Sequence, residues 1–251
     1  MRPRLPPLPN PVMLAAGHDR DGTRAAKLLS AGFGAVEFGS VCPAPVPGRH
    51  DGAAALAARL LSLRREAVFD CAIGINLGAQ PGATPRNLVR DWLAGWDACW
   101  PAADYLAFNL SAEAIQPLLA PQQAPLLRRA FLALALARDE LVLARGRQVA
   151  VAVKLSLGAE GPLPPAVELA AEAGLDAVIA VLPAGAIRFQ RLHEAAACAG
   201  GCSALIAVGG LRDAADVALA RAAGATAVQV YSAYAEQGAG CLKALLSPEN
   251  R

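Results

Sequence analysis

What this chain lacks narrows it first. No apolar run reaches the roughly 18 to 20 residues that span a bilayer. The proline-rich start, MRPRLPPLPNP, has no apolar core of a secretory signal. A cytoplasmic protein with no membrane association is expected. No block of one charge sign stands out either. The 23 basic and 21 acidic side chains are interspersed and leave a formal net charge of +2, so neither nucleic acid nor an acidic partner is expected. The six cysteines, at 42, 71, 99, 198, 202 and 241, form no C-x-x-C pair, and Cys198 and Cys202 have no nearby His or Cys pair to complete a zinc site. No metal is expected, and most of the cysteines read as small apolar filler. No linker, low-complexity segment or shift of composition divides the 251 residues, which predicts one domain over 1–251.

What is present is a strict alternation of short apolar runs and helical segments. The predicted strands are PVMLAAG from Pro11, AVEFGS from Ala35, CAIGINLG from Cys71, DYLAFNLS from Asp104, QVAVAVKLS from Gln148, AVIAVLPA from Ala177, SALIAVGG from Ser203 and AVQVYSAY from Ala227. Nearly continuous apolar character is the mark of strands buried on both faces of a parallel sheet. Helical stretches lie between them. Several stop at a glycine (Gly32, Gly146, Gly174, Gly200, Gly224), Pro85 and Pro165 suit helix starts, and GCLKALLSPENR closes the chain as a last helix. Eight such units in 251 residues predict an α/β fold, a (β/α)8 TIM barrel, with a doubly wound open sheet as the competitor.

In a barrel, function sits at the C-terminal ends of the strands. That directs attention to Asn10–Gly22, NPVMLAAGHDRDG, where three small residues precede a charged loop. Asp19 and Asp21 suit a capping pair for a helix beginning near Gly22. Glu37 projects from the second strand, toward a partner inside the barrel or toward Arg20. Lys154 interrupts an apolar strand at its functional end, and burying an unpaired ammonium is costly, so a role in the site is expected. A cation beside a cofactor and a Schiff-base lysine are both open to it. His18 could act as an acid or base near neutral pH, or simply pack in its loop. His50 and His193 read as surface residues. Trp92, Trp96 and Trp100 share one helix face and read as packing.

NPVMLAAGHDRDG and AGFGAVEFGSVCPAPVPG, followed in order by IGINLG, ADYLAFNLS, VAVKLS, DAVIA, IAVGGLRDAADVALARAAGATAVQVYSAY and EQGAG, resemble the dihydroorotate dehydrogenase family in its membrane-associated class. The resemblance covers nearly the whole chain. It implies a barrel holding flavin mononucleotide (FMN) that passes hydride between a substrate carbon and flavin N5. Ala15, Ala16 and Gly17 would let the flat ring approach the backbone. Ser40 stands at a flavin-facing threonine position. Asn76 and Asn109 match flavin-contacting asparagines, and Lys154 matches the lysine at the ring's N1 edge, where a cation favours the anionic reduced form. Gly209, Gly210, Tyr231 and Ser232 match the cradle of the cofactor phosphate.

The departures lie on the substrate side. The family's fourth strand runs on as Asn-x-Ser-Ser-Pro-Asn, its second Ser being the base, replaced by Cys in the soluble class. Here the stretch is Asn109-Leu110-Ser111-Ala112-Glu113-Ala114. Ala112 stands at the base position, and Ala114 at a substrate-binding asparagine. Val181, Leu182 and Pro183 replace a Thr-Asn-Thr, and Arg20 replaces a lysine, which is not a neutral exchange at a tight site. Two loop insertions are shortened, and the barrel is expected to start almost at residue 1, without the family's quinone-facing helical extension. The expectation is therefore an FMN oxidoreductase acting on an altered small-molecule substrate, which Arg20, with His18 or Glu113, would position or protonate. Homo-oligomers are compatible with this sequence. The alternatives are a non-redox phosphate- or flavin-binding barrel in a regulatory or scaffolding role, and a Lys154 Schiff-base lyase.

Overall fold

A computed structural model describes residues 5–84 and 87–247. Eight strands, β1 (Val12–Leu14), β2 (Ala35–Val41), β3 (Ala72–Leu77), β4 (Tyr105–Asn109), β5 (Ala150–Ser156), β6 (Ala177–Val181), β7 (Ala204–Val208) and β8 (Ala227–Val230), pair in sequence order. β8 returns to pair with β1 in parallel, Met13 opposite Gln229, so the sheet closes. That pairing makes it a (β/α)8 barrel and excludes the open sheet. The helices are α1 (Ala25–Leu29), α2 (Ala53–Glu66), α3 (Leu88–Cys99), α4 (Ala124–Arg145), α5 (Ala166–Glu172), α6 (Arg188–Ala199), α7 (Ala214–Ala222), α8 (Ser232–Gln237) and α9 (Cys241–Leu246). Among the described residues no helix is long and apolar enough to cross a membrane.

Most expected strands run too long at their C-terminal ends, whereas QVAVAVKLS ends with β5 and AVEFGS stops one residue short of β2. AVQVYSAY is a strand only to Val230. The Val230 carbonyl accepts the last rung from Ala15, and the Tyr231 carbonyl already accepts a helical bond from Ala235. Tyr231 and Ser232 thus belong to the start of α8. Between β4 and α4 lie two 3-10 segments, Glu113–Leu119 and Pro121–Gln123, that periodicity did not foresee. Pro117 and Pro121 remove backbone donors there, which delays the α-helix to Ala124. Gly146 and Gly200 are left-handed caps of α4 and α6. The helix start expected at Pro85, and the end of the last expected helix beyond 247, lie outside the described residues.

Alternate strand residues split the core in two. Outward-facing side chains pack under the helices, where Trp92 and Trp96 are buried and Trp92 lies parallel to Phe131, as the packing expectation required. Burial pushes the Cys71 and Cys99 thiols up to about 12, so both behave as small hydrophobes. Inward-facing positions are mostly alanine, with Met13, Tyr105, Ile179 and Ile206 among them. Gly74 faces Tyr105 across the β3–β4 register, and a Cβ there would fall 2.1 Å from the Tyr105 ring, so only glycine admits it. The small interior leaves room for long polar side chains nearer the mouth.

The opposite, N-terminal end of the barrel is clamped by a repeated device. Asp104, just before β4, accepts from the Ile73 N–H of β3 and from Arg64 of α2. Asp176, just before β6, accepts from the Val151 N–H of β5 and from Arg138 of α4. Each carboxylate therefore joins two strands and a helix. Conserving this end serves stability rather than chemistry in such barrels.

Candidate functional site

Near the C-terminal mouth, five strands send polar side chains inward around one carboxylate. Glu37 on β2 is 2% exposed. Its Oε1 accepts from Asn76 Nδ2 at 2.9 Å and Lys154 Nζ at 3.1 Å. Its Oε2 accepts from Gln229 Nε2 at 2.7 Å and the Tyr105 hydroxyl at 3.2 Å. Lys154 also donates to Gln229 Oε1 at 3.2 Å. A buried charge persists when it is paired and its lone pairs are used, and all these groups are. Desolvation, and then the neighbouring Glu37 charge, holds the Tyr105 hydroxyl well above its ordinary range, so it remains a donor. Glu37 thus finds its partner inside the barrel and not in Arg20.

From Asn76 the bonding climbs to the mouth. The Ser40 hydroxyl donates to Asn76 Oδ1 in a short contact, and Asn109 Nδ2 donates to Ser40 Oγ at 3.3 Å. Asn109 Oδ1 accepts from the backbone and hydroxyl of Ser111. Above this chain opens a cavity of about 720 Å³, lined by Ala16, Gly17, Arg20, Ser40, Asn109 and Ala112, together with the β2–α2 loop (Cys42, Val46, Arg49, His50) and residues 78–83. Its charged lining is Arg20 and Arg49, and no carboxylate stands among its described lining residues. A second cavity of about 400 Å³ lies at the ends of β6 and β7, lined by Leu182, Pro183, Gly209, Gly210, Arg188 and Arg212 with Asp213 and Asp216. Arg188 pairs with Asp216, and its Nη1 lies 3.2 Å from where a Cβ of Gly210 would be.

The remaining expected residues with described side chains fall outside the larger cavity. Ala15 is buried in the inner core. His18 stacks on Tyr231 (ring centroids 4.3 Å apart), abuts Tyr234, and donates through Nε2 to the Tyr231 carbonyl at 3.1 Å, an arrangement of packing rather than of proton transfer to a ligand. The Tyr231 ring also fills the space a Gly17 side chain would need, since a Cβ there would lie 2.8 Å from it. Asp19 accepts the N–H groups of Gly22, Thr23 and Arg24 ahead of α1, but Asp21 accepts from the Asp51 N–H of the loop after β2 instead of capping with it. Glu113 and Ala114 lie in the 3-10 turn after Ala112, and their side chains are outside the described residues. Ser232 opens α8.

Several residues here escaped the sequence reading. His50, expected at the surface, is 9% exposed, lies on the cavity wall, and its ring nitrogens face the N–H groups of Cys42 and Gly52. The signal was its place in a loop after a strand, which a barrel always aims at the mouth. Gln229 could have been found as the lone polar residue inside the β8 run.

No family model matches this chain. A protein of Pseudomonas paraeruginosa named dihydroorotate dehydrogenase (quinone) is 31% identical to it over 94% of this chain and 81% of its own. The chain belongs to the dihydroorotate dehydrogenase family. A relative of that name from Azotobacter vinelandii is 30% identical over 94% of this chain and 80% of its own. Among solved structures, the dihydroorotate dehydrogenase of Eimeria tenella in complex with ferulenol superposes with a TM-score of 0.76 at 22% identity, covering 94% of this chain and 79% of that one, which supports the barrel fold.

The mouth of this family member carries a pH dependence of its own. Burial, and then the nearby Arg24 charge, lowers His18 below its ordinary 6.5, against the hydrogen bond to Tyr231. Burial likewise lowers His50, with Asp21 opposing it and Arg20 and Arg49 assisting. Groups depressed in the folded state bind protons more readily unfolded, so stability is full above 6.5 and falls as pH drops through that value toward the folded pKa. Urea midpoints should therefore decline between about pH 7.5 and 5.5. The decline should flatten in a His18→Gln, His50→Gln double variant, and an unchanged slope would contradict the assignment.

Proposed function

We propose that the chain, as one barrel over 1–251, is an FMN-dependent oxidoreductase acting on a small molecule other than dihydroorotate. The observation that carries this is a family mouth with its donors in place and no base in position among its described lining residues. Ala112 lines the larger cavity where the resemblance places the base, and removing a proton from carbon requires a positioned base. The cavity's other described titratable walls do not replace it. The Cys42 thiol donates to the Ala79 carbonyl at 3.0 Å and is raised above its ordinary value by burial. His50 has both ring nitrogens against backbone N–H groups.

The residues present fit FMN. Ala16 and Gly17, small residues on the cavity lining, and the Asn109 amide suit a flat ring with carbonyl acceptors. Gly209 and Gly210 leave backbone exposed beside Arg188 in the smaller cavity, which suits an anionic tail. Cavities of this size are typical of cofactor and small-ligand sites. When bound, FMN supplies the hydride chemistry. Lys154 supplies positive charge beneath the mouth, Asn109 a donor at its edge, and Arg20 with Arg49 a cationic rim for an anionic substrate. The two acceptors holding the Lys154 ammonium favour this electrostatic role over a Schiff base.

The test is spectroscopic. Purified protein, or apoprotein given FMN, should be yellow, bleach with dithionite, and stay oxidised when dihydroorotate is added anaerobically. A colourless protein that takes up no FMN would sink the flavin assignment. Rapid bleaching by dihydroorotate would sink the altered substrate.

A further inference from the structure

We infer that Glu37 is a positioning residue of the mouth: it fixes the Lys154 ammonium and sets the direction of every hydrogen bond from Asn76 up to Asn109. The inference rests on the flavin assignment for its consequence but on geometry alone for its content. A carboxylate can only accept. Its demand on Asn76 turns that amide with Nδ2 toward Glu37 and Oδ1 toward the mouth. Asn76 Oδ1 then takes the Ser40 hydroxyl proton, so Ser40 Oγ has only lone pairs to offer and accepts from Asn109. Asn109 Oδ1 is itself occupied by Ser111. The group left for a ligand is the second N–H of Asn109. An anion at the bottom of the chain therefore gives the mouth a donor face, suited to acceptor atoms such as ring carbonyls.

The same carboxylate decides where the positive charge of Lys154 resides. Lys154 enters from β5 and Glu37 from β2, on well-separated staves of the barrel, and the ion pair with the Gln229 bridge holds the ammonium across the lumen. At 8% exposure the lysine has little solvent to screen it. The field it exerts on a bound flavin is that of a pair, not of a lone cation.

Glu37→Gln tests this with the fold preserved, because Gln retains one acceptor oxygen and the size. Two readouts are needed. The first requires no cofactor. The chain has three lysines, Lys27, Lys154 and Lys243, and reductive methylation read by mass spectrometry reports each separately. In the wild type Lys154 should be protected relative to the exposed Lys27 and Lys243, and in Glu37→Gln its relative labelling should rise about fivefold or more, at unchanged melting of the secondary structure. Ser40→Ala, which cuts the chain above Asn76 and spares the ion pair, should leave Lys154 protected. The second readout is the FMN midpoint potential. Removing the anion leaves the cation uncompensated and favours reduced flavin by about tenfold or more, so the potential moves positive.

Unchanged Lys154 labelling in Glu37→Gln would overturn the inference whether or not flavin binds. A potential that stays put, or moves negative, in a variant that still binds FMN would overturn its electrostatic half. A wild-type protein that takes up no FMN, with labelling that rises as expected, would sink the flavin assignment and leave the positioning role of Glu37 supported.

Discussion

Arg138→Met is expected to lower the free energy of unfolding by about 3–5 kcal/mol, measured by urea or thermal unfolding, the range for removing one partner of a buried ion pair. Arg138 is 2% exposed and Asp176 3%. Its Nη1 donates to Asp176 Oδ2 at 2.9 Å and to the Gly174 carbonyl at 2.8 Å. Methionine fills similar space but leaves Asp176 charged, buried and bonded only to the Val151 N–H among these partners. The carbonyl of Gly174 also loses its donor. Adding Asp176→Asn should recover part of the loss, since the orphaned charge is then gone, and the difference between double and single variants measures the coupling. A loss within the few tenths of a kcal/mol of ordinary surface changes would show that the clamp at the base of the barrel carries no stability.

That residue also marks where sequence reading stopped. RDE at 138–140 interrupts an apolar alanine/leucine run and looks like a polar break. Yet 138 falls on the same helical face as Leu127, Phe131, Leu134 and Leu141, and is buried with them. Only the tertiary placement of Asp176 explains why a cation can lie on that face. The same limit applies at the mouth. Lys154 was legible because a lysine in a buried strand demands a partner, and Glu37 because an acid on β2 demands one too. That the two meet follows from barrel closure, which turns the inner faces of β2 and β5 toward one lumen. Tyr105 was hidden because a tyrosine on a strand reads as packing, and Gln229, though visible as a lone polar residue, named no partner because a neutral group demands none. The strand alternation carried the architecture, while ends such as Tyr231–Ser232 were lost because Tyr-Ser-Ala-Tyr suits strand and helix alike.

Lys154→Met should produce the largest change at the site, and with the opposite sign to Glu37→Gln. The substitution leaves Glu37, whose side chain is fully buried, without its cation and held by neutral donors from Asn76, Tyr105 and Gln229. Stability should fall by about 3 kcal/mol. Any bound FMN now sits above an uncompensated anion, so reduced flavin is disfavoured by about a hundredfold and the midpoint potential moves negative. The double variant, Lys154→Met with Glu37→Gln, removes both charges and keeps four neutral groups able to bond one another. It should recover about half of the lost stability and return the potential toward the wild-type value, a non-additivity expected only of side chains in direct contact. Simple addition of the two single effects would mean that Lys154 and Glu37 act independently, and that the lumen holds two separate charges rather than one pair.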